Sequence, residues 1–202
     1  MSARDDVLAA CRRAPAGAAT RVEVPRDYRD ATPALGVEEL LDLFVERVED
    51  YRATVTRCTA DEVARHLAAE AQGGTLVVPP GLPWPVPGAV VDDPGHPLSA
   101  AELDRLDGVV TAAAVGIALT GTIVLDHRPD QGRRALSLVP DLHVCVVRAD
   151  QVVATVPEAV GRLDPRRPQT WVSGPSATSD IELSRVEGVH GPRTLRVLLV
   201  DG

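Results

Sequence analysis

Aromatic side chains are scarce in this chain of 202 residues, where Phe, Trp and Tyr together make up only 2%. Val, Leu and Ala must therefore fill the core, since hydrophobic residues still amount to 45% of the chain. Runs of four or five Val and Leu residues between turn residues are typical of strands that are buried on both faces of a sheet. A chain of this length can bury a full core without disulfides or metals.

Clustered cysteines are also missing. Cys11, Cys58 and Cys145 lie far apart, and no Cys-x-x-Cys pair occurs. The five histidines show no metal-ligand spacing with one another or with a cysteine. We therefore expect reduced thiols, no metal site and no cofactor built by this chain alone.

An excess of basic residues is absent, because 21 basic residues stand against 29 acidic ones and give a net charge of −8. This balance argues against binding to nucleic acid, which requires neutralised phosphates, and against docking on an anionic membrane. No run approaches the ~18–20 apolar residues of a membrane span. The first 14 residues carry acids and no apolar stretch, unlike a signal peptide, so we expect a cytoplasmic protein.

Predicted helices alternate with short apolar strands, which favours an α/β fold with a mostly parallel sheet in a three-layer, Rossmann-like sandwich. We assign residues 1–34 to an N-terminal helix and extended connector, and residues 35–202 to the α/β domain. Residues 112–121 are expected to form a small-residue turn or helical piece, and residues 150–162 a helix that Pro157 kinks or splits. In such sheets ligands bind where strand ends meet loops.

The first of three polar, glycine-containing segments is Thr120-Gly121-Thr122, at the mouth of a predicted strand. Glycine allows close approach of a ligand, and the two hydroxyls can donate to a carboxylate or phosphate. A β-turn whose threonines bond their own backbone explains the same residues without a ligand.

The second and third segments span residues 173–182 and 188–193. Ser173, Gly174, Ser176 and Thr178 are candidate ligand-binding residues, and Ser176 or Thr178 is a candidate cap for a following helix whose N–H groups would attract an anion. Asp180 and Glu182 are candidate acid–base groups, or solvated acids at a helix start. His190, beside Gly191 in a tight loop, is a candidate catalytic residue or a surface turn histidine.

In order along the chain, these segments resemble the LUD-domain family, in its lactate utilization protein C branch. The resemblance rests on residues 117–125, 138–143, 173–182 and 188–192 and covers the chain from about residue 35. It implies the fold shared by sugar-phosphate isomerases and CoA-transferases. It also implies membership of a three-protein system that oxidises L-lactate to pyruvate, in which the two partner proteins carry the iron–sulfur clusters. Leu119 and Ala177 stand where the family has Glu and Arg.

Three hypotheses follow. The chain is an accessory component of a lactate-oxidising iron–sulfur complex, a stand-alone enzyme or sensor for a small carboxylate or phosphate, or a scaffold without chemistry. For the first hypothesis, the proline-rich residues 79–87 with Trp84 form either a partner-binding patch or a loop that folds over the core.

Overall fold

The structure is a computed structural model and describes residues 2–14, 23–25, 35–178, 186–187 and 191–201. Its contacts divide the chain into two units, Met1–Asp30 and Ala31–Gly202. Helix α1 (Ala3–Arg13) belongs to the first unit and contains no buried residue. It begins with a capping box, because the Ser2 hydroxyl accepts from Asp5 N at 3.3 Å and the Asp5 carboxylate accepts from Ser2 N at 3.0 Å. The described part of the chain contains no helix with the length and apolar character needed to cross a membrane.

The second unit contains the remaining helices and all twelve strands that are assigned in the described residues. The helices are α2 (Val37–Asp50), α3 (Val63–Ala71), α4 (Ala100–Leu103) and α5 (Val156–Arg162). The strands are β1 (Thr54–Thr59), β2 (Leu76–Val78), β3 (Val90–Val91), β4 (Gly108–Ala112), β5 (Val115–Ile117), β6 (Thr122–Leu125), β7 (Leu142–Arg148), β8 (Val152–Val153), β9 (Thr170–Val172), β10 (Ala177–Thr178), β11 (Val186–Glu187) and β12 (Thr194–Asp201).

Six of these strands form one sheet in the order β1-β12-β7-β4-β2-β3, and every pairing is parallel. Its central strands contain uninterrupted apolar runs, such as Val144 to Val147 in β7, which are 0% exposed. Runs of this kind suit a sheet that is covered on both faces. The prediction of an α/β sandwich with a mostly parallel sheet is confirmed.

Different layers cover the two faces of the parallel sheet. Helix α3 packs on one face through Val63 and Leu67. The proline-rich segment lies on the same face, where Leu82, Trp84 and Val86 are half-buried against the core while Pro83 and Pro85 are exposed. This segment is therefore a loop that folds over the core, and Trp84 is not an exposed partner-binding anchor.

A second sheet, in the order β8-β5-β6-β9, lies on the opposite face together with α2. The sequence prediction was wrong for residues 112–121, because β5 forms there and pairs antiparallel with β6. The small Gly116 allows this strand to pass over the ring of Phe44, since an added Cβ would lie 3.1 Å from that ring. The prediction of a helix from residue 150 was also wrong. Val152 and Val153 form β8 beside β5, and α5 begins at Val156 because Pro157, which has no N–H, fits only the first turn.

Candidate functional site

Two of the predicted segments come together where β6 and β9 pair. Ile123 of β6 is opposite Val172 of β9, which places Thr122 close to Ser173. The Thr122 and Ser173 hydroxyl oxygens are 2.8 Å apart, and the Thr120 hydroxyl donates to Thr122 Oγ1 at 2.8 Å. The threonines of the first segment thus bond to each other and to Ser173, as expected for a supporting turn.

The glycines of these two segments lie against the end of α2. Gly121 has φ +57°, and an added Cβ would come within 2.4 Å of Arg47 O. Gly174 has φ +80°, and an added Cβ would come within 2.4 Å of Tyr51 Cβ. Glycine is required at both positions because no other residue fits that backbone conformation and that close approach. In the described structure this close approach is made to α2.

Beside the second segment lies a cavity of about 290 Å³, which we name the first cleft. Its lining is Arg134, Ser137, Leu138, His143, Thr170, Trp171, Val172, Ser173, Gly174, Pro175, Ser176, Gly191, Pro192 and Leu195. Of the predicted ligand-binding residues, Ser173, Gly174, Ser176 and Gly191 line it, whereas Thr120, Gly121 and Thr122 do not. Ser176 N donates to Pro192 O at 2.8 Å and so joins the second segment to the residues before β12.

The floor of the first cleft lies at the amino ends of two neighbouring strands of the parallel sheet. His143 of β7 is the register partner of Leu195 of β12, and both line the cleft. The hydroxyl-rich wall comes from the second sheet, through the residues that follow β9. The site therefore depends on the stacking of the two sheets.

His143 is 2% exposed, and its Nε2 lies 2.8 Å from the hydroxyl oxygen of Thr111. Burial lowers the pKa of His143 to about 4, so the imidazole is neutral at neutral pH. The Thr111 hydroxyl also lies 3.7 Å from Cys145 Sγ, and burial raises the pKa of that thiol to about 12. The sequence gives no signal that distinguishes a structural role of His143 from a role at a ligand site, because the residue lies within a strand.

Arg134 supplies positive charge at the edge of the first cleft. Its Nη1 donates to the Thr170 hydroxyl at 3.3 Å, and no carboxylate of the described residues pairs with it. The Thr170 hydroxyl lies 2.9 Å from Nε2 of His127, whose Nδ1 donates to Gly132 O at 2.9 Å. The sequence does not indicate that Arg134 lies near the hydroxyl-rich segments.

Comparison with known proteins shows the family to which this chain belongs. The family model described as LUD domain matches residues 100–200. Lactate utilization protein C from Deinococcus radiodurans is 50% identical over 205 residues, which cover 98% of this chain and 95% of that protein. This chain belongs to the LUD-domain family.

Two other relatives extend the comparison. Lactate utilization protein C from Geobacillus kaustophilus is 27% identical over 175 residues, which cover 75% of this chain and 72% of that protein. A crystal structure of a DUF162-family protein from Deinococcus radiodurans superposes with a TM-score of 0.70 at 46% identity, covering 83% of this chain and 99% of that one. The fold described above is therefore also that of an experimentally solved relative.

Three candidate catalytic residues of this LUD-domain protein, His190, Asp180 and Glu182, lie outside the described residues. The backbone at Thr178 belongs to β10, which pairs antiparallel with β11. Ala177 follows Ser176 in an extended conformation, so Ser176 does not cap a helix, whereas a helix capped by Thr178 would lie outside the described residues. The roles of these residues stay predictions.

Among the described residues, no group of three or more His, Cys, Asp or Glu side chains could hold a metal ion. Cys58 and Cys145 are buried and Cys11 is exposed. Leu119, which replaces the expected family Glu, is 53% exposed and lies in a shallow depression with Arg47, Asp50 and Tyr51. This depression does not include any residue that lines the first cleft.

Proposed function

We propose that this LUD-domain protein takes part in lactate utilization as a component that carries no iron–sulfur cluster and acts with iron–sulfur proteins. The observation that carries this proposal is the 50% identity to lactate utilization protein C over almost the whole of both chains. The positions of the cysteines are consistent with the absence of an iron–sulfur cluster in this chain, since Cys58 and Cys145 are buried in different parts of the hydrophobic core. The iron–sulfur clusters would then be held by the partner proteins.

We further propose that the first cleft binds a small carboxylate of the 2-hydroxy or 2-oxo type. Arg134 offers a guanidinium group, which is the side chain best suited to hold a carboxylate. Ser137 and Ser173 add hydroxyl groups on the lining, and a volume of about 290 Å³ suits a small acid rather than a large cofactor.

His143 supplies a neutral imidazole at the floor of the cleft. When the Thr111 hydroxyl donates to Cys145 Sγ, it accepts a hydrogen bond from His143 Nε2. The Nδ1 atom then has a free lone pair and has no hydrogen-bond partner among the described residues. A neutral acceptor of this kind is suited to the hydroxyl of a 2-hydroxy acid whose carboxylate is bound by Arg134.

Titration of the purified protein with L-lactate and with pyruvate, followed by calorimetry, tests the ligand. We expect saturable binding that the Arg134→Gln variant weakens at least tenfold, because loss of one charge-assisted hydrogen bond has that effect. The matched control is Arg148→Gln, since Arg148 pairs with Asp150 and does not line the cleft. Equal affinities of wild type and the Arg134→Gln variant would remove the cleft from the proposal.

A tagged pull-down from the native cell grown on lactate, read by mass spectrometry, tests the partners. Co-purification of two cysteine-rich iron–sulfur proteins is the expected result. If neither is recovered above background while the purified chain still binds lactate or pyruvate, the accessory role is wrong and a stand-alone function replaces it.

The stand-alone alternative is favoured by one observation, which is that Arg134, His143 and Ser173, from separate parts of the chain, all line the first cleft. A complete site predicts that the small acid raises the melting temperature of the purified chain without a partner. A pull-down that recovers both partners, together with no ligand effect on the melting temperature, would instead indicate a scaffold.

A further inference from the structure

A second cleft of about 650 Å³ lies next to the first one and shares Arg134 with it. It is lined by Pro80, Asp92, Pro94, His127, Arg128, Pro129, Gly132, Arg133, Arg134, Arg167, Pro168 and Gln169. Four prolines and four arginines dominate this lining. Such a combination offers rigid apolar walls together with several cationic groups, although the whole chain has a net charge of −8.

One of the four arginines is occupied by a structural partner. The Nε and Nη2 atoms of Arg133 donate to the two carboxylate oxygens of Asp92 at 2.7 and 3.0 Å. Asp92 is 4% exposed, and Arg133 holds the pKa of its carboxyl below the usual value against the opposing effect of burial. This buried pair is neutral as a unit and fixes the loop in place.

Two further arginines share one buried carboxylate. Asp126 Oδ2 lies 2.9 Å from Nε of Arg128 and 3.7 Å from Nε of Arg167, and the Asp126 side chain is fully buried. Arg167 Nε also donates to the Asp126 carbonyl oxygen at 3.0 Å. Both arginines line the cleft, and no described residue accepts a hydrogen bond from their terminal Nη groups.

Arg134 is the fourth arginine, and among the described residues its hydrogen-bond partner is the Thr170 hydroxyl. Together, Arg128, Arg167 and Arg134 carry three positive charges, and the carboxylates of Asp126 and Asp130 both lie near Arg128. Positive charge is therefore in excess at the cleft.

The loop that places three of these arginines is held rigidly. The Gln131 side chain is 2% exposed, and its Oε1 accepts from Asp126 N at 2.6 Å and from His127 N at 3.1 Å. His127 has φ 56°, a strained conformation for a residue with a side chain, and Gly132 has φ +70°. Strain that is held by buried hydrogen bonds is typical of a preorganised binding loop.

We propose that the second cleft binds an organic phosphate monoester, with the dianionic phosphate on the Nη groups of Arg128, Arg167 and Arg134 and the apolar body between the prolines. A dianionic phosphate suits this excess of positive charge. The prolines favour a flat apolar body, because their rings present rigid hydrocarbon surfaces that lose no conformational freedom on binding. This site shares Arg134 with the proposed small-carboxylate site, but Arg128 and Arg167 line only the second of the two clefts.

Calorimetric titration with phenyl phosphate tests the proposal, with inorganic phosphate and benzoate as comparison ligands. We expect one phenyl phosphate per chain, bound at least tenfold more tightly than inorganic phosphate, which lacks the apolar body, and than benzoate, which carries one charge. Arg128→Gln and Arg167→Gln should each weaken phenyl phosphate binding at least tenfold. Each of these variants leaves one guanidinium on Asp126 and so avoids an isolated buried charge.

Arg166→Gln is the matched control, since the Arg166 side chain is 89% exposed, pairs with Asp164 and does not line the cleft. The affinity of this variant for phenyl phosphate should stay within twofold of the wild-type value.

Lactate or pyruvate binding should not change in the Arg128→Gln and Arg167→Gln variants, which separates this test from that of the first cleft. If a glutamine variant fails to fold, Arg167→Lys keeps the charge and should still lose affinity through its missing Nη pair. No saturable binding of phenyl phosphate, equal binding of the three ligands, or unchanged affinity in both arginine variants would overturn the proposal.

Discussion

The imidazole of His143 is a buried titratable group that lines the first cleft. Burial lowers its pKa from 6.5 to about 4. In the unfolded chain the same group has its ordinary pKa, so between these two values the unfolded state binds a proton that the folded state does not. The fold is then destabilised progressively as the pH falls from about 6.5 to about 4.

This shift predicts that replacing the imidazole changes the acid side of the stability profile. Wild type should lose roughly 3 kcal/mol more unfolding free energy than His143→Gln between pH 7 and pH 4, since each pKa unit corresponds to about 1.4 kcal/mol. Urea unfolding at a series of pH values measures it. His96→Gln is the control, because the His96 side chain is 93% exposed, and its profile should follow that of wild type. A His143→Gln profile parallel to that of wild type would contradict the prediction.

At the scale of elements, the end of α2 supports two loops that come from distant parts of the chain. Gly121 approaches the backbone of Arg47, and Gly174 approaches Tyr51. Both glycines have positive φ, so the conformation and the close approach exclude a Cβ for two independent reasons.

Gly121→Ala should therefore destabilise the protein by at least about 2 kcal/mol, from backbone strain and from the clash with Arg47 O. Chemical denaturation at neutral pH measures this change. Gly161→Ala is the matched control, because Gly161 lies in α5 with open space around it and alanine favours a helix by about 0.5–1 kcal/mol. A Gly121→Ala protein as stable as wild type would show that the loop moves away from α2 at little cost.

Element lengths explain which parts of the fold the sequence could predict. Strands β6 and β7 follow from long apolar runs between turn residues, and α2 follows from its periodic Leu41, Phe44 and Val48. Strands β5 and β8 have only three and two residues, and such short stretches do not show a period of their own. They become strands because β6 and the packing of Phe44 provide the partner surfaces, which is a tertiary effect.

The same reasoning applies to the candidate site. Ser173, Ser176 and Gly191 could be predicted because polar residues are concentrated near glycines in their segments. Arg134 and His143 could not, since their nearness to those segments depends on how the second sheet stacks on the first. The contacts of Gly121 with α2 could not be predicted either, because Arg47 is far from Gly121 in the sequence.

At the scale of the whole second unit, the chain passes from the parallel sheet to the second sheet twice, from β4 to β5 and from β7 to β8. Residues of both sheets and of α2 share one core cluster, which includes Phe44, Ile123 and Cys145. Two sheets with a common core and two direct connections should unfold together.

The two tryptophans of the chain allow a test of this cooperativity. Trp84 packs on the far face of the parallel sheet, and Trp171 lies in β9 of the second sheet. In Trp84→Phe and in Trp171→Phe, the remaining tryptophan fluorescence and the far-ultraviolet circular dichroism should give the same urea midpoint. A fluorescence midpoint of Trp171 well below the circular dichroism midpoint would show that the second sheet opens by itself.

The close contacts of Gly121 and Gly174 with the end of α2 also bear on the engineering of ligand specificity in the first cleft. Residue 51 touches the loop that forms a wall of the first cleft, although Tyr51 itself is not part of the lining. A change in side-chain bulk at this position would move the wall without altering any group that meets the ligand. Substitutions at position 51, directly after α2, would then change the preference for acids of different size, and variant libraries confined to the cleft lining would not include them.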